Sequence, residues 1–398
     1  MRILFVNEKI GQYGGTEQYL NQILPVLRNK GFEVGMAYET GDASFFDNLS
    51  IPSFQASGLS DFLPQEINRV EADIERLVTS YNPDLVNLHN LRNPFAIKKF
   101  IHLKPTAWFC HDHYFTCLKN PPNRFSRLFN RFEAFPADWR CAVLGVLDRE
   151  LPFNPIELYR RIKNKKFEQK SFKGVKKILV ISQYMKKSLV DCGFDETLIN
   201  IIPRQVRDLP ASFDYQPRGK NILFVGRLEQ EKGSRIILES TKHIKTKDWH
   251  LRIVGQGADF EWSQSFVEQN RLDACVELLG LQSEKDVSSF IEQSDLVVFP
   301  SIWPEPFGVV GIEAMAYGRP VVALDVGGVG EWLKNGTNGL FATLNDSKDL
   351  AAKIDILLGD KNKSKELGLR GRQMVEEKFT LEKHLEVLTK TYEQILNK

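Results

Sequence analysis

No stretch of eighteen consecutive apolar residues occurs anywhere in this 398-residue chain, so the sequence offers no candidate for a membrane-spanning helix. The opening MRILFVNEKIG turns polar too soon for a secretion signal, and the expectation is a cytoplasmic protein. Cysteine is scarce: five residues, at 110, 117, 141, 192 and 275, are too few and too scattered for a secreted disulfide framework. No Asp-x-Asp is present, which removes a common carboxylate device for holding a divalent ion on a nucleoside diphosphate. The first strand-helix turn, GQYGGTE, lacks the G-x-G-x-x-G spacing of a dinucleotide site and so argues against an NAD enzyme.

What is present is a chain too long for one hydrophobic core, with apolar runs alternating with helical patterns from end to end. Strands read at 2–7, 32–38, 84–89, 106–111 and 176–182, and the pattern restarts at 221–228, 251–257, 275–280, 295–300 and 320–326. The proline-bearing stretch from Pro203 to Gly219 reads as a linker, and from about residue 347 onward the chain reads as helix. The expected architecture is α/β, with two doubly wound Rossmann-like domains facing across a cleft. Residues 1–205 form the first and 206–379 the second, and a helix over 380–398 crosses back to the first. In such domains ligands sit outside the carboxyl ends of the strands.

Charge is unevenly spread. Residues 119–177 carry fifteen Lys/Arg against six Asp/Glu, a net +9 in a chain whose total is +2. Within this insertion of about 119–175, Phe125, Leu128, Phe129 and Phe132 recur at helical spacing beside Arg124, Arg127 and Arg131, the pattern of a helix lying on an anionic membrane surface. The same pattern suits a helix that packs its phenylalanines on its own domain and leaves a solvated basic back.

The most informative segment is WPEPFGVVGIEAMAYGRPVVALDVGGVGE, from Trp303 to Glu331. Glu305 lies just before a helix opened by Phe307-Gly308, and Glu313 lies within it among apolar neighbours, where an unpaired carboxylate is costly. The helix N-terminus offers N–H groups and a positive dipole end to an anionic, hydroxyl-rich ligand. Gly318 and Pro320 end the helix, and the Gly327-Gly328 turn leads to a second helix start near Glu331. GRLEQEKG (226–233) follows a strand, so Arg227 and Lys232 emerge where a diphosphate could sit. In the first domain Gly14-Gly15 lets the backbone approach a ligand, Thr16 can cap the helix, and His89 and His111 end neighbouring strands, His111 beside Asp112. Cys110, His111, His113 and Cys117, with Cys141, invite a metal reading, but the spacing is not that of a zinc pair and no metal is expected.

Together these residues resemble the retaining glycosyltransferases of the GT-B group known as family 4, over nearly the whole chain. The resemblance implies that Glu313 holds the ribose hydroxyls of the donor and that Glu305 contacts the donor sugar. Arg227 and Lys232 would bind its diphosphate. It further implies that backbone N–H groups at Phe307, Gly308 and Val309 face the sugar, that Gly15 approaches the phosphates, and that His111 contacts the transferred sugar. Two local departures are the IIPRQVRD text near the hinge and Cys110 immediately before His111. The implied reaction is metal-independent transfer, with front-face geometry, from a UDP-sugar or GDP-sugar to a hydroxyl of a glycan or lipid-linked acceptor. No other cofactor and no nucleic acid partner are expected. A nucleotide-sugar epimerase of the same fold and a non-catalytic nucleotide-sugar-binding protein are the rival readings.

Overall fold

The computed structural model describes residues 1–11, 14–60, 64–116, 125–126, 131–132, 142–143, 146, 151, 153–211 and 219–397. The chain divides into two compact units. The first comprises Met1–Pro122, Phe135–Ile202 and Leu385–Lys398, and the second Asn123–Ala134 and Pro203–His384.

The first unit is built on β1 (Arg2–Ile10), α1 (Gly15–Asn29), β2 (Glu33–Gly41), α2 (Ser44–Asn48), β3 (Ser53–Gln55), α3 (Ile67–Tyr81), β4 (Leu85–Leu88), α4 (Pro94–Leu103) and β5 (Thr106–Phe109). The short strands β6 (Phe125–Ser126) and β7 (Arg131–Phe132) come next in the chain but group with the second unit, and the first unit continues with α5 (Pro155–Ser171), β8 (Lys177–Val180), α6 (Gln183–Asp191) and β9 (Ile199–Ile201). Seven of these strands form one sheet in the order β3-β2-β1-β4-β5-β8-β9, every pair parallel. All four residues of β4 and all four of β5 are buried. That is why their sequences, LVNL and TAWF, read as mainly apolar runs and not as alternation. Helix starts follow local chemistry: the Asn93 side chain accepts from the N–H groups of Phe95 (2.9 Å) and Ala96 (3.4 Å), with Pro94 at the first helical position.

The second unit contains β10 (Asn221–Val225), α7 (Ser234–Ser240), β11 (His250–Val254), α8 (Phe260–Gln269), β12 (Val276–Gly280), α9 (Glu284–Gln293) and β13 (Leu296–Phe299). These are followed by α10 (Val309–Ala316), β14 (Val321–Leu324), β15 (Gly339–Ala342), α11 (Ser347–Gly359) and α12 (Lys361–Lys378). Its six strands are parallel in the order β12-β11-β10-β13-β14-β15, the doubly wound arrangement in which strand order reverses beside the first strand.

A final helix, α13 (Leu381–Leu396), ends the chain, and its residues from Leu385 onward group with the first unit. Tyr392 is fully buried there and its hydroxyl accepts from Asn87 Nδ2 of β4 at 2.6 Å, while Asn200 Nδ2 of β9 reaches Thr391 Oγ1 at 3.4 Å.

Three local expectations are corrected. Residues 125–126 and 131–132 pair as antiparallel strands, with Phe125 opposite Phe132, so these four residues do not lie on one helix; Arg124, Arg127, Leu128 and Phe129 lie outside the described residues. No long helix starts at Glu331: Gly327–Glu331 is itself a single 3-10 turn, closed off by Trp332. The edge strands β3, β9 and β15 are absent from the sequence reading, because they are short and only partly buried, so no continuous apolar run marks them. Among the described residues no helix is long and apolar enough to cross a membrane.

Replacing Tyr392 by Phe removes the acceptor of Asn87 Nδ2 while keeping the ring, and leaving that buried amide unmatched is expected to cost about 1–3 kcal/mol. Hydrogen exchange of the β4 amides should quicken accordingly; unchanged protection would show that the C-terminal helix does not brace this strand.

Candidate active-site residues

In the second unit, strand order reverses between β10 and β13, and the loops leaving their carboxyl ends are tied together by hydrogen bonds. The Glu231 carbonyl accepts from the N–H of Ile302 (3.0 Å), the N–H of Trp303 (3.1 Å) and the Ser301 hydroxyl (3.2 Å). Gly233, at φ +79°, permits this approach: a Cβ there would lie 1.9 Å from the Pro300 carbonyl oxygen, so no other residue fits. The result places the Lys232 ammonium 2.7 Å from Glu305 Oε1, an oxygen that also accepts from the Ser301 hydroxyl at 2.7 Å. Glu305 is only 6% exposed, and a carboxylate so far from water is tolerable because it is both paired and hydrogen-bonded.

Arg227 sits on the same loop but does not join this pair. Its guanidinium turns to Glu229 (2.8 Å) and Glu231 (2.9 Å), and its side chain is 59% exposed. Burial, reinforced by the neighbouring Glu229 carboxylate, raises the Glu231 carboxyl above its ordinary range. Exposed pairs of this kind hold weakly, so an incoming anion can recruit Arg227 at little cost.

Past Glu305 the chain folds tightly against the next loop. The Glu305 carbonyl accepts from Gly328 N–H at 2.7 Å, and the Trp332 indole N–H donates to the Phe307 carbonyl at 2.6 Å. Gly308, at φ +90°, turns the backbone into α10, so Val309 is its first residue and Glu313 projects from its second turn. Glu313 is 6% exposed, as its apolar neighbours implied. Its partner, however, is a residue the sequence reading passed over: Arg207 engages it with two N–H groups, Nε to Oε1 and Nη2 to Oε2, the latter at 2.9 Å. Nη1 of Arg207 also lies 3.3 Å from Glu284. The stretch taken for a linker is therefore packed over 203–211. Val206 N–H donates to the Phe379 carbonyl (2.9 Å), the Tyr317 hydroxyl reaches Asp208 (3.1 Å) and Arg372 reaches the Pro210 carbonyl (2.8 Å). The one signal in the sequence was the unmet need of a buried Glu313 for a cation.

In the first unit the corresponding reversal lies between β1 and β4. Gly15 opens α1 and is exposed, with nothing within 4 Å of where its Cβ would stand. Thr16 does not cap that helix: the cap position is Gly14, and the Thr16 hydroxyl instead accepts from Asn90 Nδ2 at 3.0 Å. His111 is half-buried, stacks on Phe109 at 4.4 Å with rings 7° from parallel, and shares a 2.7 Å hydrogen bond between its Nε2 and Nδ1 of His89. Complete burial lowers the His89 pKa to about 3, so this ring is neutral at any ordinary pH. Asp112 spends one carboxylate oxygen on the Tyr114 N–H (2.9 Å), shaping a turn. The Cys110 thiol is buried, its pKa raised by that burial, and it points to the Asp112 carbonyl at 3.3 Å. Among the described residues no three His, Cys, Asp or Glu side chains come together as metal ligands, and Cys117 and Cys141 lie outside those residues.

Residues 208–374, all in the second unit, match the family Glycosyl transferases group 1. An uncharacterized glycosyltransferase of Methanocaldococcus jannaschii is 34% identical over 239 residues, which are 60% of this chain and 65% of that relative, just under two thirds of its length. Among solved structures, a glycosyltransferase from Rickettsia africae superposes with a TM-score of 0.75 at 19% identity, covering 99% of this chain and 98% of that one. HepE of Anabaena, solved in complex with UDP, gives 0.72 at 18% identity over 99% and 100% of the two chains. At such identities the likeness is one of fold, and the fold is GT-B: two Rossmann-like domains, each with its own parallel sheet.

Substituting Arg207 by Ala strands the Glu313 carboxylate, and loss of one partner of a buried pair costs about 3–5 kcal/mol. The second unit of Arg207→Ala should melt well below the parent chain in calorimetry, and adding Glu313→Gln should recover much of the loss. Equal melting temperatures for parent and single variant would show that the pair is not what holds Glu313 in place.

Proposed function

We propose that this chain is a retaining glycosyltransferase of family 4, moving a sugar from a nucleoside-diphosphate donor to a hydroxyl of a glycan or lipid-linked acceptor without a metal ion. The observation that carries the reading is the pair of buried carboxylates flanking the start of α10. Glu305 and Glu313 each have a fixed counter-cation, at the strand reversal of a Glycosyl transferases group 1 domain. A carboxylate has about four acceptor positions. Arg207 occupies two on Glu313, leaving two for the adjacent hydroxyls of a ribose. On Glu305, Oε1 takes both Lys232 and Ser301, which leaves Oε2 for hydroxyls of the donor sugar.

Departure of the sugar transfers negative charge to the diphosphate. Lys232, an Arg227 drawn off Glu229 and Glu231, and the backbone N–H groups at Phe307, Gly308 and Val309 are the groups assigned to meet it. Glu305 is committed to a cation and a hydroxyl, which suits an electrostatic role better than a nucleophilic one, and front-face attack follows, with the leaving diphosphate receiving the acceptor proton. From the first unit, Gly15 is assigned to the phosphates and His111 to the transferred sugar. The UDP held by HepE favours a uridine donor among the two bases considered.

A membrane contact is part of the reading. In α5 and the residue pair before it, Phe153, Ile156 and Tyr159 are 88%, 79% and 67% exposed, and Arg160, Lys163 and Lys166 lie on the same helix. Large apolar side chains beside unopposed cations suit an anionic lipid surface.

On this reading Lys232→Ala lowers turnover at saturating donor by about a hundredfold or more, as loss of a transition-state charge partner does, whereas Glu313→Ala weakens nucleotide binding by about ten- to a hundredfold. Release of nucleoside diphosphate and calorimetric affinity measure the two; an unchanged rate or an unchanged affinity removes the corresponding role. Flotation with anionic vesicles at low salt, lost as salt is raised, tests the membrane contact, and absence of binding at low salt ends it.

A further inference from the structure

The His89–His111 pair contains more chemistry than the transfer reaction requires of His111 alone. Nδ1 of His89 and Nε2 of His111 are 2.7 Å apart, so one of them holds the shared proton. His89 is fully buried, and its ring lies between Phe5 of β1 (centroids 5.8 Å, 29°) and Phe109 of β5 (5.6 Å, 14°), which keeps it in the plane that meets His111. Its other nitrogen, Nε2, has no hydrogen-bond partner. Burial keeps the ring neutral, with one proton to place. On Nε2 that proton would create a buried N–H with nothing to accept it; on Nδ1 it donates to His111, and the unmatched atom is a bare lone pair. Buried orphan N–H groups are the rarer and costlier of the two.

We propose that His89 is a positioning residue: it donates from Nδ1 to Nε2 of His111 and so fixes neutral His111 as its Nδ1–H tautomer. His111 then meets the transferred sugar as a hydrogen-bond donor through Nδ1. Its Nε2 lone pair is spent on His89 and is not available as a base. This agrees with a reaction in which the leaving diphosphate takes the acceptor proton, and it rests on the reading of His111 as the residue at the sugar.

The test uses the full chain with ring-nitrogen-labelled histidine, observed by NMR without donor. His111 should show a protonated Nδ1 and a bare Nε2. His89→Asn, whose side-chain amide can donate from the same place as Nδ1, should preserve that tautomer and most of the transfer rate. His89→Leu should let the tautomers redistribute and lower the rate at saturating donor by about tenfold, the worth of one hydrogen bond, with the donor KM nearly unchanged. A His111 protonated at Nε2 in the parent chain, or one whose tautomer is the same in His89→Leu, overturns the proposal. Because the NMR result does not depend on activity, a separate failure is visible: transfer at the parental rate by His111→Ala would overturn the role of His111 at the sugar while the tautomer assignment stands.

Discussion

The contact between Lys232 and Glu305 is the constraint on which the second unit's site depends. It joins the loop after β10 to the loop after β13, the two strands between which strand order reverses, and it does so where the carboxylate is almost entirely out of water. A buried carboxylate without that ammonium would be left without a counter-charge, which is costly away from water. Much of the local sequence serves the contact: Gly233 permits the approach to Pro300, the Glu231 carbonyl binds three donors from 301–303, and Ser301 adds a second bond to the same carboxylate oxygen.

Arg207 does the same for Glu313 one helical stretch later. Both carboxylates are thus paired with and oriented by cations from elsewhere in the same unit, with acceptor positions left over. This arrangement is preorganised in the physical sense: under the proposed function, the carboxylates assigned to hydroxyls need not reorganise when a ligand arrives, because their partners already fix them. The first unit shows the complementary case. There a histidine is fixed not by a charge but by another histidine that burial keeps neutral.

How much of this was legible in the sequence follows from the physics of each feature. Central parallel strands such as β4, β5 and β10 announce themselves because both faces are covered and the run is mainly apolar; the edge strands β3, β9 and β15 do not, because none of them is buried along its whole length. The opening of α10 at Gly308 was legible from the glycine, and the need of Glu313 for a partner from its apolar neighbours. The identity of that partner was not, because Arg207 is 106 residues away in a stretch with no periodicity, and ion pairs between distant residues leave no local pattern. Arg227 was read as a phosphate ligand from its place at a strand end. That its guanidinium rests on Glu229 and Glu231 depends on side-chain rotamers that sequence does not specify. The helix expected around Phe125 and Phe132 illustrates the opposite hazard, since helical spacing over eight residues is also compatible with two short paired strands.

The central claim is that Lys232, Arg227, Glu305 and Glu313 form a nucleoside-diphosphate site that needs no metal. It is tested most directly by calorimetric titration of the intact chain with UDP and with GDP in the presence of a chelator. The account predicts saturable one-to-one binding of one of the two nucleotides; binding of neither, or binding that appears only when a divalent cation is restored, would contradict it.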